Sequence, residues 1–349
     1  MKDIIIAGKK IGKTQPPFII AEMSANHNQS LERALEIVDQ AAACGVHALK
    51  LQTYTPDTLT LNINDGDFQI KDSLWKGTSL HRLYEKAYLP WEWHKPIFDR
   101  CAKHNLVVFS TPFDETAVDF LETLYVPCYK IASFENVHLP LIRKVAKTGK
   151  PLIISTGMAT VSEISDAVLA AREAGCQDLI LLKCNSGYPA QPEESHVATI
   201  PHMKQLFNCH VGLSDHSLGI GVALASIVFG AVIIEKHFTL SRYDNGVDAA
   251  FSMEPAEFKN LVIESQRAWQ GIGTINYQIT DYEQTSKAFR RSLYIAQDIQ
   301  AGQTLTKENV KIVRPGNGLH PKYFDDILGK KASKNLKKGT PLNWNSITS

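Results

Sequence analysis

The sequence has no long apolar run, no long run of one charge, no paired-cysteine motif and no glycine-rich nucleotide loop. Each absence removes a class of protein. No stretch approaches the roughly 20 apolar residues of a membrane-spanning helix, and the apolar run in MKDIIIAGKKIG is too short for a signal peptide. Charged residues make up 21% with the signs interspersed and hydrophobic residues 44%, which argues against disorder and supplies a sizeable core. Formal net charge is +1, so bulk electrostatics predicts neither nucleic-acid nor membrane binding. The six cysteines (Cys44, Cys101, Cys128, Cys176, Cys184, Cys209) show no CxxC and no zinc spacing with histidine, the usage expected of a reduced, cytoplasmic protein with packed thiols. No G-x-G-x-x-G follows the first strand, so a dinucleotide site lacks its fingerprint.

What is there is alternation. Short β-rich runs recur at 18–23, 48–54, 107–113, 128–133, 151–157, 179–185, 210–217 and 232–239. Most gaps hold one amphipathic segment: 30–45 starts at Ser30 and stops at Gly45, and 114–124 and 162–175 behave alike. Pro96 interrupts the segment near 92–104, so that helix is expected to begin there. Eight such strands alternating with helices predict an α/β fold, a (β/α)8 TIM barrel; a doubly wound open sheet is the rival and usually has fewer strands.

Two parts fall outside the alternation. Residues 55–90 form a long insert with Phe68, Trp75, Tyr84 and Tyr88, a candidate lid. Residues 271–287 read as a linker, so the expected division is a barrel domain over 1–280 and a small β-rich domain over 281–349, with short strands in RSLYIAQDIQAGQTLT, VKIVRP and LKKGTPL. Residues 288–349 carry 11 Lys and Arg against 4 Asp and Glu, a balance of +7, so the rest of the chain sums to −6. That basic patch fits either a solvated surface or an anionic substrate or partner.

In a barrel of this kind chemistry sits at the C-terminal ends of the strands. Those ends read Glu22 with Asn26 and His27; Lys50, Gln52 and Tyr54; Ser110, Thr111 and Pro112; Lys130 and Ser133 with Glu135 beyond; Ser155, Thr156 and Gly157; Cys184, Asn185, Ser186, Gly187 and Tyr188; Ser214, Asp215 and His216; and Glu235, Lys236 and His237. A lone histidine or lysine at a strand end is more often structural. The joint pattern is harder to explain by packing, because each unpaired buried polar group costs about 1–3 kcal/mol. Lys50 and Lys130 supply positive charge and the serines and Thr111 supply short donors, a set suited to a small phosphorylated acid. His216 and His237 lie on adjacent strands and fit one divalent metal with open positions. Asp215 reads as an orienting or turn-capping residue, and Cys184 as a packed thiol with no base beside it.

Taken together, AEMSANHNQSLERA, KLQTY, STPFD, KIASFE, ISTGMAT, GLSDHS, EKHFT, SMEP and RPGNG resemble the sialic acid synthase family over nearly the whole chain. The resemblance implies a metal-dependent TIM barrel followed by a small antifreeze-like (SAF) domain. It implies a domain-swapped homodimer in which that domain covers the partner's active site. It also implies condensation of phosphoenolpyruvate with an acetamido-sugar. EMSANHNQ and VDAAFSMEP are closer to the pseudaminic acid branch, which implies 2,4-diacetamido-2,4,6-trideoxy-altrose as the sugar. By position, Lys50, Thr111, Lys130, Ser133, Ser155, Ser186 and Ser214 would hold phosphoenolpyruvate, and His216 and His237 would ligate Mn²⁺, Mg²⁺ or Co²⁺. Glu135, with Glu22 and Asp248, would carry proton transfer; Gln52, Tyr188 and, across the dimer, Arg314 would meet the sugar. CNSGYPA departs from the neuraminate synthases in having Ser186 where they usually have Asn. The alternatives that stay open are a neuraminate or legionaminate synthase with the same chemistry, a non-catalytic sugar-binding protein, and a metal-dependent hydrolase on the same barrel.

Overall fold

A computed structural model describes residues 1–72, 74–244 and 246–348. The chain divides into two units, Met1–Gly273 and Thr274–Ser349. The first opens with a hairpin, β1 (Ile4–Ile6) paired antiparallel with β2 (Lys9–Ile11). Eight strands follow: β3 (Phe18–Glu22), β4 (Ala48–Thr53), β5 (Val107–Pro112), β6 (Tyr129–Ile131), β7 (Leu152–Ser155), β8 (Leu179–Cys184), β9 (His210–Ser214) and β10 (Ile233–His237). They are all parallel and close into one barrel in sequence order, with β10 paired to β3. The eight strands fall where the apolar runs predict them.

Period two along each strand explains the interior. Phe18, Ile20, Ala48, Val107, Phe109, Ile153, Ile180, Leu182 and Ile233 form one buried cluster inside the barrel, joined by Ile4, Ile6 and Ile11 of the hairpin. The short apolar run at the start of the sequence is thus part of the barrel's interior packing. Two residues further along the same parity, the interior positions become Glu22, Lys50, Thr111, Ser155, Cys184 and Glu235. The inside of the barrel therefore turns from apolar to polar at the C-terminal ends of its strands. Gly212 allows the close approach this closure needs, since a Cβ there would sit 2.6 Å from the Ile233 carbonyl oxygen.

The helices form where capping signals stand. Ser30 Oγ accepts from Arg33 N at the start of Leu31–Ala43, Asp114 caps Glu115–Thr123, and Thr160 makes a capping box with Glu163 ahead of Val161–Glu173. Pro96 does not start its helix. The helix runs His94–Lys103 and holds the proline in its first turn, where no amide donor is needed. The insert is more structured than a loop, containing helices Pro56–Leu59 and Leu80–Ala87; its Ser73 lies outside the described residues.

In the second unit β11 (Ser292–Ile295) pairs antiparallel with β12 (Val310–Val313) over a core of Leu293, Ile295, Ile299, Leu305, Val310, Ile327, Leu336 and Leu342. The strand expected in LKKGTPL is reduced to isolated bridges, Ile299 with Leu336 and Tyr294 with Pro341. Gly339 turns the chain at φ 86° and Pro341 has no amide to extend a ladder. No helix among the described residues is long and apolar enough to cross a membrane, and all six cysteines are free and buried.

Candidate active site

The polar strand ends converge on one set of buried charges. Lys50 Nζ lies 2.5 Å from Glu22 Oε2 and 3.9 Å from Glu235 Oε1, and it donates to Thr111 Oγ1 at 3.2 Å. Lys130 Nζ lies 3.7 Å from Glu235 Oε1 and donates to Ser155 Oγ at 2.6 Å and to the Ile131 carbonyl at 3.1 Å. Ser214 Oγ also donates to Glu235 Oε1. Glu235 is the carboxylate between the two lysines; sequence reasoning placed it at the rim without giving it a role. Burial opposes its ionisation, but Lys130, Lys50 and His216 together outweigh burial and hold its pKa below the usual value. Burial also opposes the charge on both lysines. For Lys50 the two glutamates overcome it and raise the pKa, whereas for Lys130 burial prevails and the pKa falls.

Beside Lys130 lies a small cradle. Gly157 N donates to Ser133 Oγ at 3.1 Å, and Asn136 Nδ2 donates to the carbonyls of Ser155 and Gly157 at 3.4 and 3.2 Å. Ser186 Oγ is buried with no hydrogen-bond partner among the described residues. A Cβ on Gly157 would collide with Ser186 Oγ and lie 2.7 Å from Ser133 Oγ, so this glycine leaves the space between the hydroxyls open.

A second chain of bonds runs to the other side. Gln52 Nε2 donates to Glu22 Oε1 at 3.0 Å and to Ser24 Oγ at 2.9 Å, and Ser24 Oγ donates to Asp248 Oδ2 in a short bond. Burial raises the Asp248 carboxyl against the bonds from Ser24 and Ala25. Ser24 is a functional candidate that sequence reasoning missed. Glu135 has a buried Oε2 without a partner, and burial, only partly offset by Lys130, lifts its pKa to about 7. It makes no ion pair with Lys130, whose carboxylate partner is Glu235.

His216 and His237 face each other with ring centroids 5.3 Å apart. His216 Nδ1 donates to the Asn185 carbonyl at 2.7 Å, which fixes the tautomer and leaves Nε2 as its lone-pair nitrogen. His237 Nδ1 is buried and unpartnered, and burial followed by the nearby cations keeps its imidazole neutral. His216 with its Nδ1 committed to Asn185 and His237 with a vacant Nδ1 together fit a divalent metal that takes its remaining ligands from water and substrate. Among the described residues no three His, Cys, Asp or Glu side chains gather to hold a metal. Tyr188 covers His216, with ring centroids 4.3 Å apart.

Asp215 takes the turn-capping one of its two readings, whereas the expectation for Cys184 changes. Asp215 is structural: its carboxylate accepts from Ser217 N at 2.9 Å and pairs with the buried Lys236 at 2.7 Å. Cys184 does have an imidazole nearby, His216 Nδ1 at 4.0 Å, but that nitrogen's proton is committed to Asn185 at the shorter distance. Arg314 is exposed on the second unit.

Gln52, Glu135, Tyr188, His237 and Asp248 line a cavity of about 380 Å³. The rest of its wall is mostly apolar and is shared between the insert, including Leu59, Ile70, Leu80, Leu83 and Tyr84, and the barrel, including Tyr54, Phe113, Phe134 and Phe251. Trp75 Nε1 donates to the Val247 carbonyl at 3.0 Å, so the insert reaches the loop after β10.

The chain matches the NeuB family over residues 37–277 and the SAF domain over residues 290–348. It is 42% identical to the pseudaminic acid synthase of Helicobacter pylori over 95% of this chain and 98% of that one. It is 43% identical to the pseudaminic acid synthase of Campylobacter jejuni over 93% and 95%. The N,N'-diacetyllegionaminic acid synthase of Campylobacter jejuni is more distant, at 34% over 92% and 97%. Among solved structures, the N-acetylneuraminic acid (sialic acid) synthetase of Leptospira borgpetersenii superposes with a TM-score of 0.72 at 31% identity, covering 82% of this chain and 95% of that one.

Proposed function

The chain belongs to the NeuB family of sialic acid synthase-type enzymes, and from that premise we propose that it is a transferase that condenses phosphoenolpyruvate with 2,4-diacetamido-2,4,6-trideoxy-β-L-altropyranose to give pseudaminic acid and phosphate. The observation that carries the reading is its higher identity to pseudaminic than to legionaminic acid synthases, over nearly full length. The site supports the same chemistry.

Lys130, Ser133, Ser155 and Ser186 take the phosphate and carboxylate of phosphoenolpyruvate, with Lys50, Thr111 and Ser214 on the same side. Ser186, where neuraminate synthases usually carry Asn, offers the cradle's unpartnered hydroxyl. Gln52, Glu22, Tyr188 and Asp248 take the sugar. Holding both substrates aligned is worth up to about 7–11 kcal/mol of the barrier. Carbon three of phosphoenolpyruvate attacks the open-chain aldehyde carbon, the C2–C3 double bond supplying the electron pair. Water adds to carbon two, and phosphate then leaves by C–O cleavage as that carbon becomes a ketone. Glu135, with a pKa of about 7, can both release and accept a proton near neutrality, as ring opening and the new hydroxyl require. His216 and His237 would hold the divalent metal, Mn²⁺, Mg²⁺ or Co²⁺, which supplies Lewis-acid polarisation of the aldehyde oxygen.

The active assembly is a domain-swapped homodimer in the cytoplasm, in which the SAF domain covers the partner's barrel and Arg314 meets its sugar. Exposure of Arg314 and six unpaired cysteines support those assignments.

The test is phosphate release from phosphoenolpyruvate with Mn²⁺, run in parallel with the diacetamido-trideoxy-altrose and with N-acetylmannosamine. Release with the first sugar alone, abolished by a chelator, is expected. Release with the second alone would keep the mechanism and overturn the substrate. Release with neither would overturn both.

A further inference from the structure

We propose that the insert is the acceptor-specificity wall of the cavity, and that Leu80 and Leu83 receive the C6 methyl group of a 6-deoxy sugar. The inference rests on the synthase reading above and says which part of the acceptor this wall recognises.

The ionisable groups of the cavity, Glu135, His237 and Asp248, come from the barrel's strand ends and the loops that follow them, whereas the insert contributes Leu59, Ile70, Leu80 and Leu83 beside the aromatic Trp75 and Tyr84. Leu80, Leu83, Tyr84 and Ala87 lie at i, i+3, i+4 and i+7 of the helix Leu80–Ala87 and so share one face. All four line the cavity. In a globular domain such a face usually serves the core. Here Leu80 and Leu83 are only partly buried and belong to none of the core clusters of the barrel unit. A face of this kind fits an apolar group that is supplied from outside the chain.

The wall is also fixed in place. Ser79 Oγ accepts from Arg82 N and donates to Asn64 Oδ1 at 2.8 Å, and His81 Nε2 meets Asp57 Oδ1 at 2.9 Å. Gln29 Nε2 holds the far end through the carbonyls of Lys86 and Tyr88, at 3.2 and 2.6 Å. The reacting aldehyde carbon belongs beside Glu135 and His237. The opposite end of the sugar then extends away from the strand ends, toward the insert. A methyl group is buried there without loss, whereas a hydroxymethyl group would lose its water to Leu80, Leu83 and Ile70, which offer no donor or acceptor in return. An apolar wall rejects an added hydroxyl only moderately, by about 10- to 100-fold.

The matched pair for the test is the diacetamido-trideoxy-altrose and its 6-hydroxy counterpart. Wild-type kcat/KM should favour the deoxy sugar by about 10- to 100-fold. Leu83→Gln should compress that ratio toward unity, chiefly through a raised KM for the deoxy sugar, and Leu80→Gln gives the same reading if the first variant fails to fold. A wild-type ratio near unity, or a ratio unmoved in both variants, would overturn the proposal. Calorimetric binding of the two sugars separates it from the synthase reading. A preserved affinity ratio without phosphate release sinks the synthase and keeps the wall. Equal affinities with intact turnover sink the wall and keep the synthase. Binding of neither sugar overturns both.

Discussion

Glu135→Gln removes a carboxyl whose ionisation the fold opposes, so its effect on stability should change with pH while turnover falls. Burial, partly offset by Lys130, lifts the Glu135 pKa from 4.5 to about 7. The folded state therefore binds this proton more tightly than the unfolded chain does. The contribution to stability is fully present below the unfolded pKa of 4.5 and is lost as pH rises through about 7. The displacement corresponds to about 3 kcal/mol, at order of magnitude. A glutamine does not ionise and escapes that loss. Placing its amide where Oε2 has no partner costs about 1–3 kcal/mol, but that cost does not depend on pH and shifts only the offset. The difference in unfolding free energy, variant minus wild type, should thus rise by about 3 kcal/mol between about pH 4.5 and about pH 8. Urea unfolding followed by tryptophan fluorescence measures it, since Trp75, Trp91, Trp93 and Trp269 all lie in the barrel unit. Other groups titrate alike in both proteins and cancel in the difference. Turnover should fall by about 10²- to 10⁴-fold while phosphoenolpyruvate still binds. A difference flat across that pH range would refute the burial argument, and full turnover would refute the catalytic one.

Gly157→Ala should weaken phosphoenolpyruvate binding by about tenfold or more, roughly 1.4 kcal/mol, because its Cβ fills the space between Ser133 and Ser186; an unchanged calorimetric Kd would remove the cradle from the binding site. Chelation should abolish phosphate release, with Mn²⁺ restoring it, and His216→Asn and His237→Asn should each lower the metal bound per chain as read by elemental analysis; full metal content in both variants would exclude these imidazoles as ligands. Asp215→Asn leaves the buried Lys236 without its 2.7 Å partner and should cost about 3–5 kcal/mol of stability in urea unfolding, whereas a variant as stable as wild type would contradict the structural role assigned to Asp215.

The barrel was legible because two independent signals coincide in it. Each strand is an apolar run long enough for a strand and too short for a helix, and each ends in polar residues that alternate between inside and outside. That parity placed Glu22, Lys50, Thr111 and Glu235 on the same side of the wall as Phe18, Ala48, Val107 and Ile233. What stayed hidden depends on contacts between distant segments. Ser24 reads as an ordinary serine until folding brings it against Asp248, 224 positions away. Lys236 lies on the outward parity and would be taken for a surface residue, yet Asp215 and the Ser217 carbonyl hold it inside the protein. The helix Leu80–Ala87 repeats its apolar face over little more than two turns, too short a stretch for periodicity alone to separate it from a loop. Nor does a sequence distinguish a face buried against protein from one that faces a cavity.

The two interior lysines look equivalent in the sequence and are not equivalent in the fold. Lys50 has the Glu22 carboxylate at 2.5 Å and Glu235 at 3.9 Å, enough to hold its charge despite burial. Lys130 pairs with the shared Glu235 at 3.7 Å, with Cys184 and Glu22 adding less; burial prevails and its pKa falls. At an effective dielectric of about 20, a unit anion at about 4 Å contributes roughly 4 kcal/mol of attraction. The lysine with less existing compensation therefore has more to gain from an incoming anion. The hydroxyls follow the same division. Ser155, Ser133 and the unpartnered Ser186 gather near Lys130 with Gly157 keeping the space open, whereas Gln52, Ser24 and Asp248 connect to Glu22 on the Lys50 side. In the proposed reaction the phosphoenolpyruvate anion then sits nearest Lys130 and the neutral diacetamido sugar beyond Glu22, the orientation in which the far end of the acceptor would meet the leucines of the insert.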